Sequence, residues 1–168
     1  MTDAKKLNAL LGEMIHYNAG DIARIHHFLQ VYAFAKAIGE AENLPGNLQF
    51  ILEAAALTHD IGIKVSEQKY RSCAGQYQQL EGPPIARELL NRLGFTAEVT
   101  ERVCYLIAHH HTYSGIDGLD YQILVEADFL VNIEGDQIPL SKVPSIRDQI
   151  FRTKTGIDFL TACYLPVQ

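Results

Sequence analysis

The sequence has no excess of basic residues: 14 Lys and Arg stand against 20 Asp and Glu, a formal net charge of −6. No general field therefore favours DNA, RNA or an anionic lipid surface. The three cysteines, Cys73, Cys104 and Cys163, are odd in number and show no CxxC spacing, which argues for reduced thiols rather than a disulfide framework. No apolar run reaches membrane-spanning length, and the first residues lack the long apolar core and small-residue cleavage site of a secretory signal. A cytoplasmic protein is expected, with neither membrane nor nucleic-acid polymer among its partners. Strand-like alternation, internal repeats and low-complexity tracts are also missing. What remains is an all-α fold.

With 168 residues the chain has the size of one compact domain, so a single helical bundle over 1–168 is expected. Leu7, Leu10, Leu11, Met14 and Ile15 fall at helical spacing between Ala4 and Tyr17. Asp21 has the position of an N-cap for a long helix running to about Glu40. The turn cluster Asn43-Leu44-Pro45-Gly46-Asn47 precedes a helix over Leu48 to Asp60. Residues 64–81 have few apolar side chains and no clear period, which predicts an ordered loop; a loop of that length is usually functional. Gly82-Pro83-Pro84 is expected to open the next helix, closed by Gly94. Further helices are predicted from Thr96 to about His110 and from Asp120 to about Asn132. A weaker amphipathic segment with Ile157, Phe159, Leu160 and Tyr164 should pack back on the bundle. The expected total is about six to eight helices, with a core over about 20–132 and a C-terminal segment over 133–168.

Polar side chains interrupt these apolar faces at particular places. The run Ala54-Ala55-Ala56-Leu57-Thr58 delivers His59 and Asp60 into the interior, and a carboxylate buried without a partner costs several kcal/mol. His27 lies on the stripe of Val31 and Phe34, whereas His26 points toward Gln30 and Ala33. His110 continues the stripe of Val99, Val103, Leu106 and Ile107, with His109 and His111 diverging by about a hundred degrees to either side. Asp128 lies one turn beyond Leu124 on an inward face, while Glu126 is off the stripe and is expected in solvent. Taken singly, each has an ordinary explanation as a cap or a satisfied core residue. Together they direct three imidazoles and two carboxylates at one interior, enough for one octahedral ion with open positions or for two ions sharing a carboxylate.

This ordered pattern resembles the HD-domain superfamily of metal-dependent phosphohydrolases, over roughly residues 20–132. The segments that carry the resemblance are Ala23-Arg24-Ile25-His26-His27, Leu57-Thr58-His59-Asp60-Ile61-Gly62 and Val125-Glu126-Ala127-Asp128. It implies that His27, His59, Asp60 and Asp128 are metal ligands. In branches with two ions, further histidines follow the doublet. His110 matches one of them, with His109 or His111 as competitor. The other would fall near Gln78, where Glu81 is a candidate replacement. The lysine that often closes the doublet's turn is displaced here to Lys64.

The resemblance also implies a mechanism. One or two divalent ions (Mn, Fe, Co, Ni, Zn or Mg) activate water, Asp60 bridges ions or takes the water's proton, and Lys64, Arg71 and Arg24 stabilise phosphoryl charge. The implied substrate is a small phosphorylated molecule such as a nucleotide, with Tyr70, Tyr77 and Tyr113 near the expected mouth. Some relatives with the same ligands resemble di-iron oxygenases instead, which an iron assay and oxygen consumption would separate from a hydrolase. A non-catalytic, metal-stabilised ligand-binding or signalling module would show a closed coordination sphere. Substrate, metal identity and oligomeric state have no signature in the sequence.

Overall fold

Helix starts follow their capping side chains. The Asp21 carboxylate accepts from the Arg24 backbone N–H at 3.0 Å, at the head of a helix over Ile22–Ala41. Thr96 accepts from the Val99 N–H at 3.4 Å, opening a helix over Ala97–His109. The computed structural model describes residues 2–165, and among these there is no strand. The α-helices are α1 (Asp3–Tyr17), α2 (Ile22–Ala41), α3 (Gly46–Thr58), α4 (Ile63–Tyr70), α5 (Gly75–Arg92), α6 (Ala97–His109), α7 (Leu119–Gly135), α8 (Val143–Ile150) and α9 (Lys154–Tyr164). A 3-10 turn over Leu140–Lys142 precedes α8. The all-α expectation holds, with the short helices α4 and α8 taking the count past eight.

The centre of the bundle is α3, buried on every side from Phe50 to Thr58. Helices α2, α6 and α7 pack around it, α5 pairs with α6, and α1 leans on α3. Ala54, Ala55 and Ala56 are fully enclosed. Their small side chains let the neighbouring backbones come close. Leu52, Leu57, Leu106, Ile107 and Leu124 close the core, each contributing about 1.5–3 kcal/mol by burial. Helix α9 packs on α2 and α7, and no helix among the described residues is long and apolar enough to cross a membrane.

Two expectations are overturned between residues 60 and 92. The segment 64–81 is not a loop: α4 takes its first half and α5 begins at Gly75. The first turns of α5 carry polar side chains because they face a cavity and the surface, so no apolar period announces them. Pro83 and Pro84 do not open the helix but lie inside it. Lacking N–H groups, they leave the carbonyls of Gln79 and Leu80 without intrahelical donors. Leu80 is exposed, where water can serve.

The turn that follows the doublet is pinned by close backbone approach. A Cβ on Gly62 would meet the Gln78 carbonyl at 2.6 Å and the Gly82 nitrogen at 2.7 Å. Only glycine lets α5 lie this near, and that contact sets Gln78 beside the doublet.

Glu126 is a further correction. It is fully buried rather than solvated. It accepts from Gln122 Nε2 at 2.7 Å, from the N–H of Arg152 at 2.6 Å and of Thr153 at 2.9 Å, and from the Thr153 hydroxyl. One carboxylate on α7 thus fastens the start of α9.

Candidate metal centre

Four elements converge at the inner end of a cavity of about 460 Å³. Helix α2 supplies His27, the turn after α3 supplies His59 and Asp60, the end of α6 supplies His110 and His111, and α7 supplies Asp128. His27 Nε2 lies 3.1 Å from His59 Nε2, 3.2 Å from Asp60 Oδ2 and 3.3 Å from Asp128 Oδ1. His59 Nε2 is 3.4 Å from Asp60 Oδ2, and His110 Nε2 is 3.5 Å from Asp60 Oδ1. The ligand atoms of His27, His59 and Asp60 all fall within 4.8 Å of one another, and so do those of Asp60, His110 and His111. Asp60 belongs to both sets.

Backbone carbonyls orient the imidazoles. His59 Nδ1 donates to the Ala56 carbonyl at 2.9 Å, and His110 Nδ1 donates to the Ile107 carbonyl at 2.7 Å. Each ring therefore turns a lone pair at Nε2 into the cluster, the tautomer a metal requires.

Charge balance points the same way. Burial pulls the His27 pKa down, but Asp128 and Asp60 outweigh it and hold it up at about 8. His59 is raised well above its ordinary value, against burial, chiefly by Asp60. Burial pushes the two carboxyls up, yet His59 holds Asp60, and His27 holds Asp128, well below the usual range. The centre favours positive charge between two carboxylates. His111 is lowered to about 4 by burial and by His110, so its ring is neutral at physiological pH.

Hydrogen bonding alone does not satisfy these groups. Other buried carboxylates in the chain are fully served: Glu53 accepts from Tyr32 at 3.0 Å, Lys36 at 3.1 Å and Gln49 at 2.9 Å, and Asp120 receives Arg102 at 2.8 and 2.7 Å. Asp128 Oδ1 and His110 Nε2 are buried without a hydrogen-bond partner. The imidazoles near Asp128 Oδ1 lie at ion-pair distance but lack hydrogen-bond geometry. Orphaned acceptors cost about 1–3 kcal/mol each, and converging acceptors without donors fit a cation. The donor set of imidazole and carboxylate suits the divalent ions of Mn, Fe, Co, Ni, Zn or Mg.

The structure does not bring every expected residue here. Lys64 turns away: its Nζ donates to the Tyr17 carbonyl at 3.1 Å and lies over the Tyr17 ring, because the start of α4 at Ile63 sends it toward α1. Arg71 is exposed at the C-cap of α4, in a left-handed conformation at φ 55°, outside the cavity lining. Glu81 is held by Lys69 at 2.7 Å and Tyr70 at 2.7 Å and cannot stand in for the residue at Gln78. His109 bonds the Tyr105 carbonyl at 2.7 Å and stacks on that ring, leaving His111 as His110's companion. Of the three basic residues expected near the phosphate, Arg24 alone lines the cavity.

Gln78, the position at which the resemblance expects a histidine, and two residues without a role in that expectation, Asn132 and Asp136, also line this space. Gln78 is buried, with Nε2 donating to the Cys73 carbonyl at 2.5 Å and Oε1 facing His111 Nε2 at 3.2 Å. Asn132 and Asp136 form part of the wall. Their signal was the four-residue spacing from Asp128 along α7.

An all-helical domain with a His-Asp centre at the junction of four elements defines the class, and comparison with known families agrees. Residues 24–143 match the family model described as HD domain. The chain belongs to the HD domain family. It is similar to the crystal structure of a predicted HD superfamily hydrolase from an uncultured Thermotogales bacterium, with a TM-score of 0.65 and 24% identity, covering 96% of this chain and 84% of that one. At that identity the likeness is one of fold. A search of curated proteins finds no match.

Proposed function

We propose that this protein is a metal-dependent phosphohydrolase acting on a small phosphate ester. The observation that carries the reading is Asp128 Oδ1 and His110 Nε2, buried and unpaired, flanking a carboxylate shared by two ligand sets. His27, His59, Asp60 and Asp128 would hold one ion, and Asp60, His110 and His111 a second. A divalent ion held there supplies Lewis acidity toward a phosphoryl oxygen and lowers the pKa of water.

The chain's own groups do the rest. Asp60, at the join of the two sets, is placed to take the proton of the attacking water. The water oxygen bonds to phosphorus as the ester P–O bond breaks. The departing oxygen takes a proton from solvent at the cavity mouth. Arg24, on α2 one turn from His27, faces the phosphoryl oxygens and offsets their charge. A cavity of about 460 Å³ suits a small molecule and not a polymer.

Purified protein with added Mn²⁺ or Co²⁺ should hydrolyse p-nitrophenyl phosphate, and His59→Ala or Asp60→Ala should lower the rate at least a thousandfold. Wild-type rates in those variants would end the proposal. Two ligand sets sharing Asp60 also suit a di-iron oxygenase. Stoichiometric iron, a visible absorption band and oxygen consumption would move the assignment there.

A further inference from the structure

The outer wall of the cavity narrows the substrate class. Asp128 and Asn132 on α7 and Asp136 at its C-cap follow one another at four-residue intervals, and all three line the cavity. At 1.5 Å per residue this ladder runs about 12 Å from the metal centre to the rim. Across from it, His27 and Arg24 on α2 and Asp21 at its N-cap line the same cavity, in that order away from the metal centre along the chain. Asp21 and Asp136 therefore flank the mouth.

This wall has three properties that bear on a ligand. Arg24 is its one cation among the described residues, and it is already shared by Asp21 at 3.2 Å and Glu67 at 2.7 Å. It can serve a single phosphate, whereas the further phosphates of a di- or triphosphate find no second Lys or Arg among the described lining residues. Second, no phenyl, phenol or indole ring lies among the described lining residues. The tyrosines that could have stacked on a base are otherwise engaged: Tyr70 and Tyr77 stack on each other at 4.2 Å, and Tyr113 meets Phe129 at 5.1 Å. A base without such a platform forgoes about 1–3 kcal/mol. Third, Asn132 is half-buried beyond the metal centre, and its amide offers both donors and an acceptor to a neutral hydroxyl. Asp136 continues with acceptors alone.

We infer that the cavity takes the phosphate ester of a hydroxyl-rich, non-aromatic body, a sugar or polyol phosphate, and that Asn132 and Asp136 select it. The inference rests on the hydrolase reading for its phosphate and on the wall for its body. The phosphate lies between the metal centre and Arg24, and the carbon chain extends outward along α7 with its hydroxyls on Asn132 and Asp136. An ammonium would meet Asp21 and Asp136 only at the exposed rim, where charge pairing is weak.

The test is a panel on the Mn²⁺-loaded protein: glycerol 3-phosphate, ribose 5-phosphate, glucose 6-phosphate and sorbitol 6-phosphate, against AMP, GMP, ATP, phosphoethanolamine and p-nitrophenyl phosphate. At least one sugar or polyol phosphate should exceed every nucleotide and phosphoethanolamine at least tenfold in kcat/KM. Asn132→Leu should lower the ratio of its kcat/KM to that of p-nitrophenyl phosphate about tenfold, through KM. Asp136→Ala, at an exposed position, removes the acceptors altogether and provides a second variant that should lower the same ratio without endangering the fold. Preference for a nucleotide or for phosphoethanolamine, or an unchanged ratio in both variants, overturns the inference. Calorimetric binding of the same panel separates the two readings. If nothing is hydrolysed yet sugar phosphates bind more tightly than AMP, the hydrolase reading falls and this one stands. If AMP binds as tightly or better, this one falls whatever the turnover.

Discussion

His59 and His27 meet through their Nε2 atoms at 3.1 Å, and the hydrogen of His59 is already committed at Nδ1 to the Ala56 carbonyl at 2.9 Å. A hydrogen on His27 Nε2 can bridge the two rings but leaves Asp128 Oδ1 unpaired, whereas a divalent ion among the three serves every acceptor at once. A divalent ion should accordingly stabilise the fold. At a free ion concentration of about 100 Kd the gain is about 2.7 kcal/mol, which for a chain of this size raises Tm by about 5–10 °C. Thermal unfolding in EDTA and in excess Mn²⁺ measures it. His59→Ala should abolish the increment, and an equal increment in that variant would show that the ion binds elsewhere.

Glu126 gives a prediction remote from the chemistry. Its carboxylate is the shared acceptor for Gln122 Nε2, two backbone N–H groups and the Thr153 hydroxyl, all where water does not reach. Glu126→Ala leaves these donors unserved and should cost about 3 kcal/mol or more, lowering Tm by about 6–12 °C. Glu126→Gln keeps one acceptor oxygen and should lose about half as much. A solvated surface glutamate would change stability by less than about 0.5 kcal/mol, so the thermal shift decides between the two descriptions.

These residues show which parts of the structure were legible in the sequence. His27, His59, Asp60, His110 and Asp128 each interrupt an apolar stripe on a helix whose period is clear, and the structure gathers all five. The stripe also separated His110 from His109. Periodicity failed where a helix buries polar groups, as at Gln78 on α5, or carries prolines inside, as at Pro83 and Pro84. It failed for Glu126 because the partners that bury it come from backbone N–H groups at Arg152 and Thr153, which no local pattern reports. Lys64 was misplaced because the two residues of turn beyond the doublet lead straight into α4, whose first turn carries it to Tyr17.

Arg24 separates the basic residue that lines the cavity from the two that do not. Arg24→Ala removes a charge-assisted contact to the phosphate, of about 1.5–3 kcal/mol. KM for a phosphate ester should rise about 10- to 100-fold. Arg24→Lys should recover part of this, since one ammonium cannot hold Asp21 and Glu67 and still present a fork to the ligand. Lys64→Ala and Arg71→Ala should remain within about twofold of wild type, because a discrimination of less than about 0.4 kcal/mol is all that exposed charges outside the cavity provide. A larger loss at Lys64 than at Arg24 would reverse the assignment.

Glu42 makes part of the fold's stability depend on acid. Its carboxylate accepts from the Thr155 N–H at 2.7 Å near the start of α9, and the Thr155 hydroxyl and N–H hold its pKa below the ordinary 4.5. A depressed folded pKa gives stability that is present above the unfolded value and is lost as pH falls through the folded one. Glu42→Gln should therefore be less stable than wild type at pH 7, with the difference shrinking as pH falls from the ordinary carboxylate range through the depressed folded value. Urea unfolding at a series of pH values tests this. A difference that stays constant across the acid range would place the contribution in packing instead.

Gln78 decides how well a second ion is held. Its Nε2 is anchored on the Cys73 carbonyl at 2.5 Å, which turns Oε1 to accept from His111 Nε2 at 3.2 Å. With its hydrogen at Nε2, His111 keeps its lone pair at Nδ1, and a neutral amide replaces a stronger imidazole donor in the wall. The second set, Asp60, His110 and His111, should bind more weakly than the first, which has two carboxylates. Gln78→His places an imidazole at a position fixed by the close approach of Gly62 to the Gln78 carbonyl and the Gly82 nitrogen. The variant should bind its second equivalent of Co²⁺ about 10- to 100-fold more tightly, visible as a titration that breaks at two equivalents instead of one and as a stronger visible cobalt spectrum. Titrations of wild type and variant that superimpose would mean that Gln78 lies outside any coordination sphere and that this centre is built for a single ion.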